Sequence, residues 1–256
     1  MPELPDLQVF SRNLEKALKG RKLDKLTITA KAKCTPAAAS IRKQLTGKKL
    51  TAVYREGKEL RFAFGKTLLG IHLMLHGKLV WDDEEPAKYR LVTLAFKGKP
   101  ALILTDFQSQ ARIKLDPEES VAPDALDRKF TAAKLKELLQ STKQVKTLLM
   151  DQALVRGIGN AYADEILWDA RISPLSVAAK IPAARIMALH RSIRKIFAHA
   201  EKQIMKADKD IIGGEIRDFM LIHNRTKKTS PGGSPIKKVS VGGRKSYYTD
   251  EQVLYK

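Results

Sequence analysis

The sequence predicts an α+β chain of more than one domain, and three observations carry that reading. Short β-like runs punctuated by glycine or charged pairs fill the stretch from Lys22 to Leu104. An acidic, proline-bearing segment at Asp116–Asp127 follows, after which the apolar spacing turns helical. Near the end, Gly232-Gly233 and Gly242-Gly243 flank one more β-like run. The expected division is a β-sandwich domain with a leading helix over 1–115, a linker over 116–128, a helical domain over 129–225 and a β-hairpin over 226–256.

Leu7, Phe10, Leu14, Ala17 and Leu18 recur at three and four residues, which predicts an amphipathic helix over 5–19 stopped by Gly20. Strands are expected at Leu23–Thr29, Leu50–Tyr54, Leu60–Phe64, Thr67–Leu75, Leu91–Phe96 and Ala101–Leu104, with a short helix at Ala37–Leu45. Beyond the linker, Lys134–Leu139 and Val145–Met150 form one helical region and Tyr162–Ala170 another. Ile186, Leu189, Ile193, Phe197, Ala200 and Ile204 then line one side of a long helix. The glycine pairs around Ile236–Val241 permit tight turns, so a small hairpin is expected there.

Composition narrows the partners. The chain of 256 residues carries 48 Lys and Arg against 28 acids, a formal charge of +20, and polyanions are the first candidate. No apolar run reaches the roughly eighteen residues of a membrane span, and the start lacks the layout of a signal peptide. A single cysteine, Cys34, excludes an internal disulfide framework and any Cys-based metal cluster, and it fits a reducing, cytoplasmic setting.

Two stretches carry chemistry. The first is Met1-Pro2-Glu3-Leu4-Pro5-Asp6. Removal of Met1 would leave Pro2 a free secondary amine, and α-amino groups titrate near about 8, so much of it would be neutral and nucleophilic. Glu3 stands where a general acid/base would serve it. The plainer reading is that Pro2 merely follows the start codon while Pro5 opens a helix. The second stretch is Gly157-Ile158-Gly159-Asn160-Ala161-Tyr162-Ala163-Asp164-Glu165. Its glycines turn the chain sharply between helices, and Asn160 would cap the second, whose first amides attract a phosphate. A helical hairpin without a ligand is the alternative.

With Gly57-Lys58 ahead of a strand, these motifs resemble the formamidopyrimidine-DNA glycosylase / endonuclease VIII family, in the right order from Pro2 to about Tyr248. The resemblance implies a helix–two-turn–helix domain that grips DNA phosphates, followed by a finger. It implies that Pro2 is a Schiff-base nucleophile, Glu3 the acid/base for sugar-ring opening, and Lys58 a phosphate contact that assists elimination. Lys146 and Asn160 would hold phosphates, His72 would contact another, and Leu75 would be the wedge that fills the gap left by a flipped base. Without the family, Lys58 reads as a solubilising strand-edge lysine, and His72 and Leu75 as ordinary strand residues. Tyr89, in Lys88-Tyr89 where relatives carry Lys-His, is counted with the DNA-contacting residues, and Arg244 would reach the phosphate at the damaged nucleotide.

The departures are informative. Relatives place four zinc-binding cysteines where this chain has Thr229, Gly232, Thr249 and Gln252, which cannot form a thiolate cage, so a zincless hairpin held by strand pairing is expected and no metal or other cofactor. The loop Asp106–Arg112 lacks the family's arginine pair, Asp6 replaces a usual Glu, and Gly213–Asp218 runs almost directly into Phe219, leaving no room for a long capping loop. Together these point away from 8-oxoguanine and toward oxidised pyrimidines, ring-opened purines, hydantoins or abasic sites. The expected protein is a monomeric, cytoplasmic (if bacterial, nucleoid-associated) base-excision-repair DNA glycosylase with AP lyase activity. Its partner would be double-stranded DNA holding an oxidised base or abasic site. The alternative is a catalytically idle relative that only binds distorted DNA.

Overall fold

A computed structural model describes residues 1–82 and 88–256. Its architecture is α+β, with two compact units: Met1–Glu119 together with Ile204–Glu215, and Ser120–Gln203 together with Ile216–Lys256. The hairpin expected at 226–256 thus lies within the second unit, and 204–215 pack with the first.

The first unit opens with helix α1 (Leu4–Leu18), followed by β1 (Leu23–Ile28), β2 (Lys33–Thr35), helix α2 (Ala38–Leu45), β3 (Ala52–Glu56), β4 (Glu59–Phe64), β5 (Thr67–His72), β6 (Lys78–Trp81), β7 (Arg90–Phe96), β8 (Leu102–Thr105) and β9 (Arg112–Leu115). The strands form a four-stranded sheet ordered β1-β7-β8-β6 and a five-stranded sheet ordered β2-β9-β5-β4-β3. Pairing is antiparallel except between β2 and β9. Phe62, Leu69 and Ile71 of one sheet and Leu94, Leu102 and Leu104 of the other belong to one fully buried apolar core. Phe64 and Phe96 stack across it, centroids 6.4 Å apart. Leu7, Phe10, Leu14 and Leu18, the apolar stripe of α1, are all wholly enclosed in the same core.

Strand β5 is shorter than its apolar run suggests. After His72 the chain turns: Met74 adopts a left-handed φ of 55°, and Gly77 donates its amide to the Leu73 carbonyl at 2.9 Å. A Cβ on Gly77 would lie 2.3 Å from that oxygen, so only glycine closes the turn. Leu75, expected at the end of a strand, is therefore on a loop and 57 % exposed.

In the second unit, α3 (Ala132–Leu138), α4 (Val145–Met150), α5 (Asn160–Asp169), a 3₁₀ turn at Ala178–Lys180 and the 25-residue α6 (Ala183–Ala207, whose last residues count with the first unit) precede the β10 (Lys237–Val241) and β11 (Arg244–Tyr248) hairpin. Gly242 and Gly243 both take positive φ, 55° and 73°, which is what a two-residue type I′ turn demands. The segment expected as a linker is partly built in: Ala125 is fully buried and its amide donates to the Arg156 carbonyl at 3.0 Å.

Candidate active site and nucleic-acid interface

In the first unit, Pro2 is buried and Glu3 is the N-cap of α1. Glu3 and Asp6 form a reciprocal capping box, the Glu3 amide donating to Asp6 Oδ2 at 2.8 Å. The box explains why an acid stands at position 6: the helix start is closed by it, and the Glu3 carboxylate, only 4 % exposed, is held at the positive end of α1. Pro5 occupies the second helical position rather than the first. Because Met1 is present, the Pro2 nitrogen is part of a peptide bond, and the free ammonium at the start belongs to Met1, which is ion-paired with Glu215.

Lys58 lies on the two-residue turn between β3 and β4, where Glu56 pairs with Glu59 and Gly57 takes φ 58°. A first central residue with positive φ is the mark of a type II′ hairpin turn, and it fixes Gly57-Lys58 as the sequence solution. Arg55 fastens this turn to α1. Its Nε donates to Gln8 Oε1 and its NH1 to the Gly57 carbonyl, both at 3.0 Å. The turn bearing Lys58 is thereby braced against the helix that Pro2 and Glu3 begin.

His72 ends β5 opposite Arg112 of β9. Burial, then the charges of Lys58 and Arg112, pull its pKa down to about 4. The Met74 amide donates to His72 Nδ1 at 3.1 Å, so the neutral ring carries its proton on Nε2 and can act as a donor. A neutral donor flanked by two cations suits a phosphate oxygen.

Directly after Leu75, His76 belongs to a ring cluster that adds Phe107, which the sequence did not single out, to the expected Tyr89. Phe107 is 57 % and Tyr89 66 % exposed. Phe107 lies 4.5 Å from the ring of His76 and 6.4 Å from that of Tyr89. Buried Asp106 makes the presenting loop rigid, its carboxylate accepting the amides of Gln108, Gln110 and Ala111 at 2.8–2.9 Å, while its own amide donates to the Tyr89 carbonyl. Exposed aromatics on a stiff loop are costly to keep in water and mark a contact surface. The signal in the sequence was faint: a phenylalanine directly after an aspartate whose burial no periodicity announces.

The second unit holds the remaining candidates. Gln152 shapes the turn between α4 and α5, donating to the Met150 and Ile158 carbonyls and accepting from the Gly157 amide. Gly159, not Asn160, is the N-cap of α5. Asn160 is the first helical residue and sends Nδ2 to the Lys245 carbonyl at 3.1 Å, so it ties the helix start to the hairpin. Arg244 is exposed at the first position of β11, directly after the glycine turn.

Lys146 corrects an expectation. It is wholly buried, and its ammonium meets Asp164 Oδ1 and Ser246 Oγ, each at 2.6 Å. Asp164 Oδ2 in turn meets His223 Nδ1 at 2.7 Å and accepts the Tyr247 amide at 3.0 Å. A sealed cation with these partners does not present itself to a phosphate; it pins α4, α5 and the hairpin together. Neighbouring Glu165 does similar work for the following segment, accepting the amides of Leu221, Ile222 and His223 while burial pushes its carboxyl up.

The four positions where relatives carry zinc-binding cysteines do not suit the ion. Gln252 Oε1 accepts the Thr249 amide at 2.9 Å, Gln252 Nε2 donates to the Ile172 carbonyl at 2.7 Å, and Gly232 offers no side chain. The hub is instead Glu251, which accepts from Trp168 Nε1 and Thr249 Oγ1 at 2.9 Å and pairs with Arg171 at 3.2 Å. A Cβ on Gly232 would fall 2.4 Å from the Glu251 carboxylate, so the vacated cysteine position must be small.

A helix-led pair of sheets with a capped N-terminal acid, and a glycine turn joined to a basic hairpin tip, define a protein of the helix–two-turn–helix class. The family models agree: residues 1–113 match the formamidopyrimidine-DNA glycosylase N-terminal domain and residues 121–210 its H2TH domain. The chain belongs to the formamidopyrimidine-DNA glycosylase family. It is 31 % identical to the formamidopyrimidine-DNA glycosylase of Pelotomaculum thermopropionicum and 32 % identical to that of Lactococcus lactis, over 97 % of both chains in each case. Among solved structures it is similar to Lactococcus lactis Fpg with DNA containing an oxidised pyrimidine (TM-score 0.86, 29 % identity, 98 % and 99 % of the two chains). It is equally similar to MutM bound to carbocyclic 8-oxo-G DNA (TM-score 0.86, 29 % identity, 98 % and 99 %).

Proposed function

We infer that this protein is a base-excision-repair DNA glycosylase that also nicks the strand at the resulting abasic site. The observation that carries the reading is the brace from Gln8 through Arg55 to Gly57, which couples the Lys58 turn to the helix beginning at Pro2-Glu3. Family membership and the DNA complexes of similar proteins support it. After Met1 is removed, Pro2 attacks C1′ of the damaged nucleotide, the base departs, and Glu3 protonates O4′ as the ring opens. Elimination from the imine then breaks the 3′ phosphodiester. Lys58, His72 and Arg244 hold phosphates, Asn160 orders the hairpin carrying Arg244, and Leu75, Tyr89 and Phe107 occupy the space of the extruded nucleotide.

The substrate is duplex DNA with an oxidised pyrimidine, ring-opened purine, hydantoin or abasic site. The missing arginine pair and the short run from Gly213 to Phe219 support that choice over 8-oxoguanine. We read it as a monomer working on DNA in the cytoplasm; no helix among the described residues is long and apolar enough to cross a membrane. The second reading is a catalytically idle relative that binds damaged or distorted DNA without chemistry. Borohydride reduction of a reaction with abasic duplex separates the two. A covalent adduct that mass spectrometry places on Pro2 establishes the enzyme; its absence from chains lacking Met1 leaves the idle binder.

A further inference from the structure

Glu215 has no part in the scheme above. Its carboxylate accepts from the Met1 ammonium, a contact within the first unit between residues 214 positions apart in the chain. The segment bearing it is anchored on both sides. Asn13 of α1 donates Nδ2 to the Ile211 carbonyl at 2.8 Å, and Gly213 lies so close to β6 that a Cβ would be 2.2 Å from the Leu79 carbonyl. Gly214 then turns at φ 90°, and the Glu215 side chain keeps 33 % exposure. Glu3, by contrast, is enclosed and engaged in the capping box with Asp6. The first unit thus brings two carboxylates to the start of the chain, one in the helix cap and one facing the terminal nitrogen itself.

We propose that Glu215 is a second acid/base group of the reaction, the proton acceptor for the Pro2 nitrogen. The inference rests on the Pro2 reading. Once Met1 is gone, the new terminal nitrogen lies one residue, at most about 3.8 Å, from the one it replaces, a gap that rotation about the glutamate χ angles spans. The Pro2 ammonium gives one proton to Glu215, and the nitrogen lone pair forms the bond to C1′ as the bond to the base breaks with its electrons. The nitrogen then sheds its second proton and expels O4′, leaving the iminium. The two protons lost from nitrogen balance the one gained by the departing base and the one gained by O4′ through Glu3. A single carboxylate held in a helix cap does not serve both nitrogen and O4′ at once, and two carboxylates divide that labour.

The test uses the full chain with Met1 removal verified by intact mass. Single-turnover borohydride trapping on abasic duplex is followed from about pH 5 to about pH 9. Glu215→Gln is expected to slow adduct formation about 10²-fold near neutral pH and to change the shape of the pH–rate curve, the low end of what a positioned proton-transfer group contributes. Affinity for duplex with an unreactive abasic analogue stays at the wild-type level, and Glu215→Asp recovers part of the rate. In Glu215→Ala, added formate restores part of the rate, which a purely structural role would not allow. A Gln variant that traps with the wild-type curve overturns the assignment of Glu215 while leaving Pro2 in place. A wild-type adduct on another residue, or none, overturns the Pro2 reading and this inference with it.

Discussion

The carboxylate of Glu251 accepts the indole N–H of Trp168 at 2.9 Å. With further hydrogen bonds from Ser230 and Thr249 and the charge of Arg171, this contact lowers the Glu251 pKa from 4.5 to about 2. A carboxylate depressed in the fold stabilises it fully above its unfolded value and loses that contribution as pH falls through the folded one. The hairpin is therefore expected to loosen between about pH 4.5 and about pH 2. Glu251→Gln should lower the melting temperature by about 4–8 °C, the loss of roughly 2 kcal/mol in a chain of this size, and remove the acid-dependent part. Metal analysis should find no stoichiometric zinc, and a chelator should leave DNA nicking unchanged. Activity lost to chelator would contradict the carboxylate-centred hairpin.

Lys146 and Asp164 form a fully buried pair, so removing one partner strands the other's charge. Lys146→Met is expected to destabilise the second unit by about 3–5 kcal/mol. The double variant with Asp164→Asn should be less unstable than the sum of the singles, read by a thermal or denaturant double-mutant cycle. The slope of DNA affinity against salt should stay that of wild type, because no phosphate contact is lost. A slope reduced by about one would restore Lys146 to the DNA-contacting set.

His72 should titrate near 4, well below an ordinary histidine at 6.5. Between those values the unfolded chain binds the proton and the folded one does not, so stability should fall as pH drops from about 6.5 toward about 4. Histidine NMR gives the midpoint. Lys58→Met should raise it, though by less than burial lowers it, since burial is the larger cause. An unmoved midpoint would mean that Lys58 does not act on His72.

Base–aromatic stacking is worth about 1–3 kcal/mol per base. Phe107→Ala is accordingly expected to weaken binding to duplex with an abasic analogue by about 5- to 150-fold, with a far smaller effect on intact duplex. Tyr89→Ala should act in the same direction. Equal losses on both duplexes would make Phe107 a general contact rather than a filler of the vacated space.

The sandwich, the leading helix and the glycine hairpin were legible because their apolar spacings and turn residues are local signals. Strands β2, β6 and β9 were not: Lys33–Thr35, Lys78–Trp81 and Arg112–Leu115 have three or four residues each, and their pairing with distant strands, not a local apolar run, makes them strands. The end of β5 was hidden because Met74 accepts a left-handed conformation that nothing at that position advertises. At the site, Pro2, Glu3, Lys58 and Arg244 were singled out by motif, and their roles remain proposals. Lys146 was assigned to phosphate because sequence shows a cation but not the acid, 18 positions on, that neutralises it. Asp106, Glu165 and Glu251 escaped notice for the same reason: each collects partners that lie apart along the chain.

Relatives that bind a metal through sulfur expose their grip on DNA to peroxides, which convert thiolates to sulfenic and higher acids. Here the corresponding fold is closed by a carboxylate, an indole and hydroxyl groups, and the chain's lone sulfhydryl, Cys34, lies in the other unit. A cell suffering the stress that damages its bases would thus retain a repair protein whose fingertip the same stress does not dismantle.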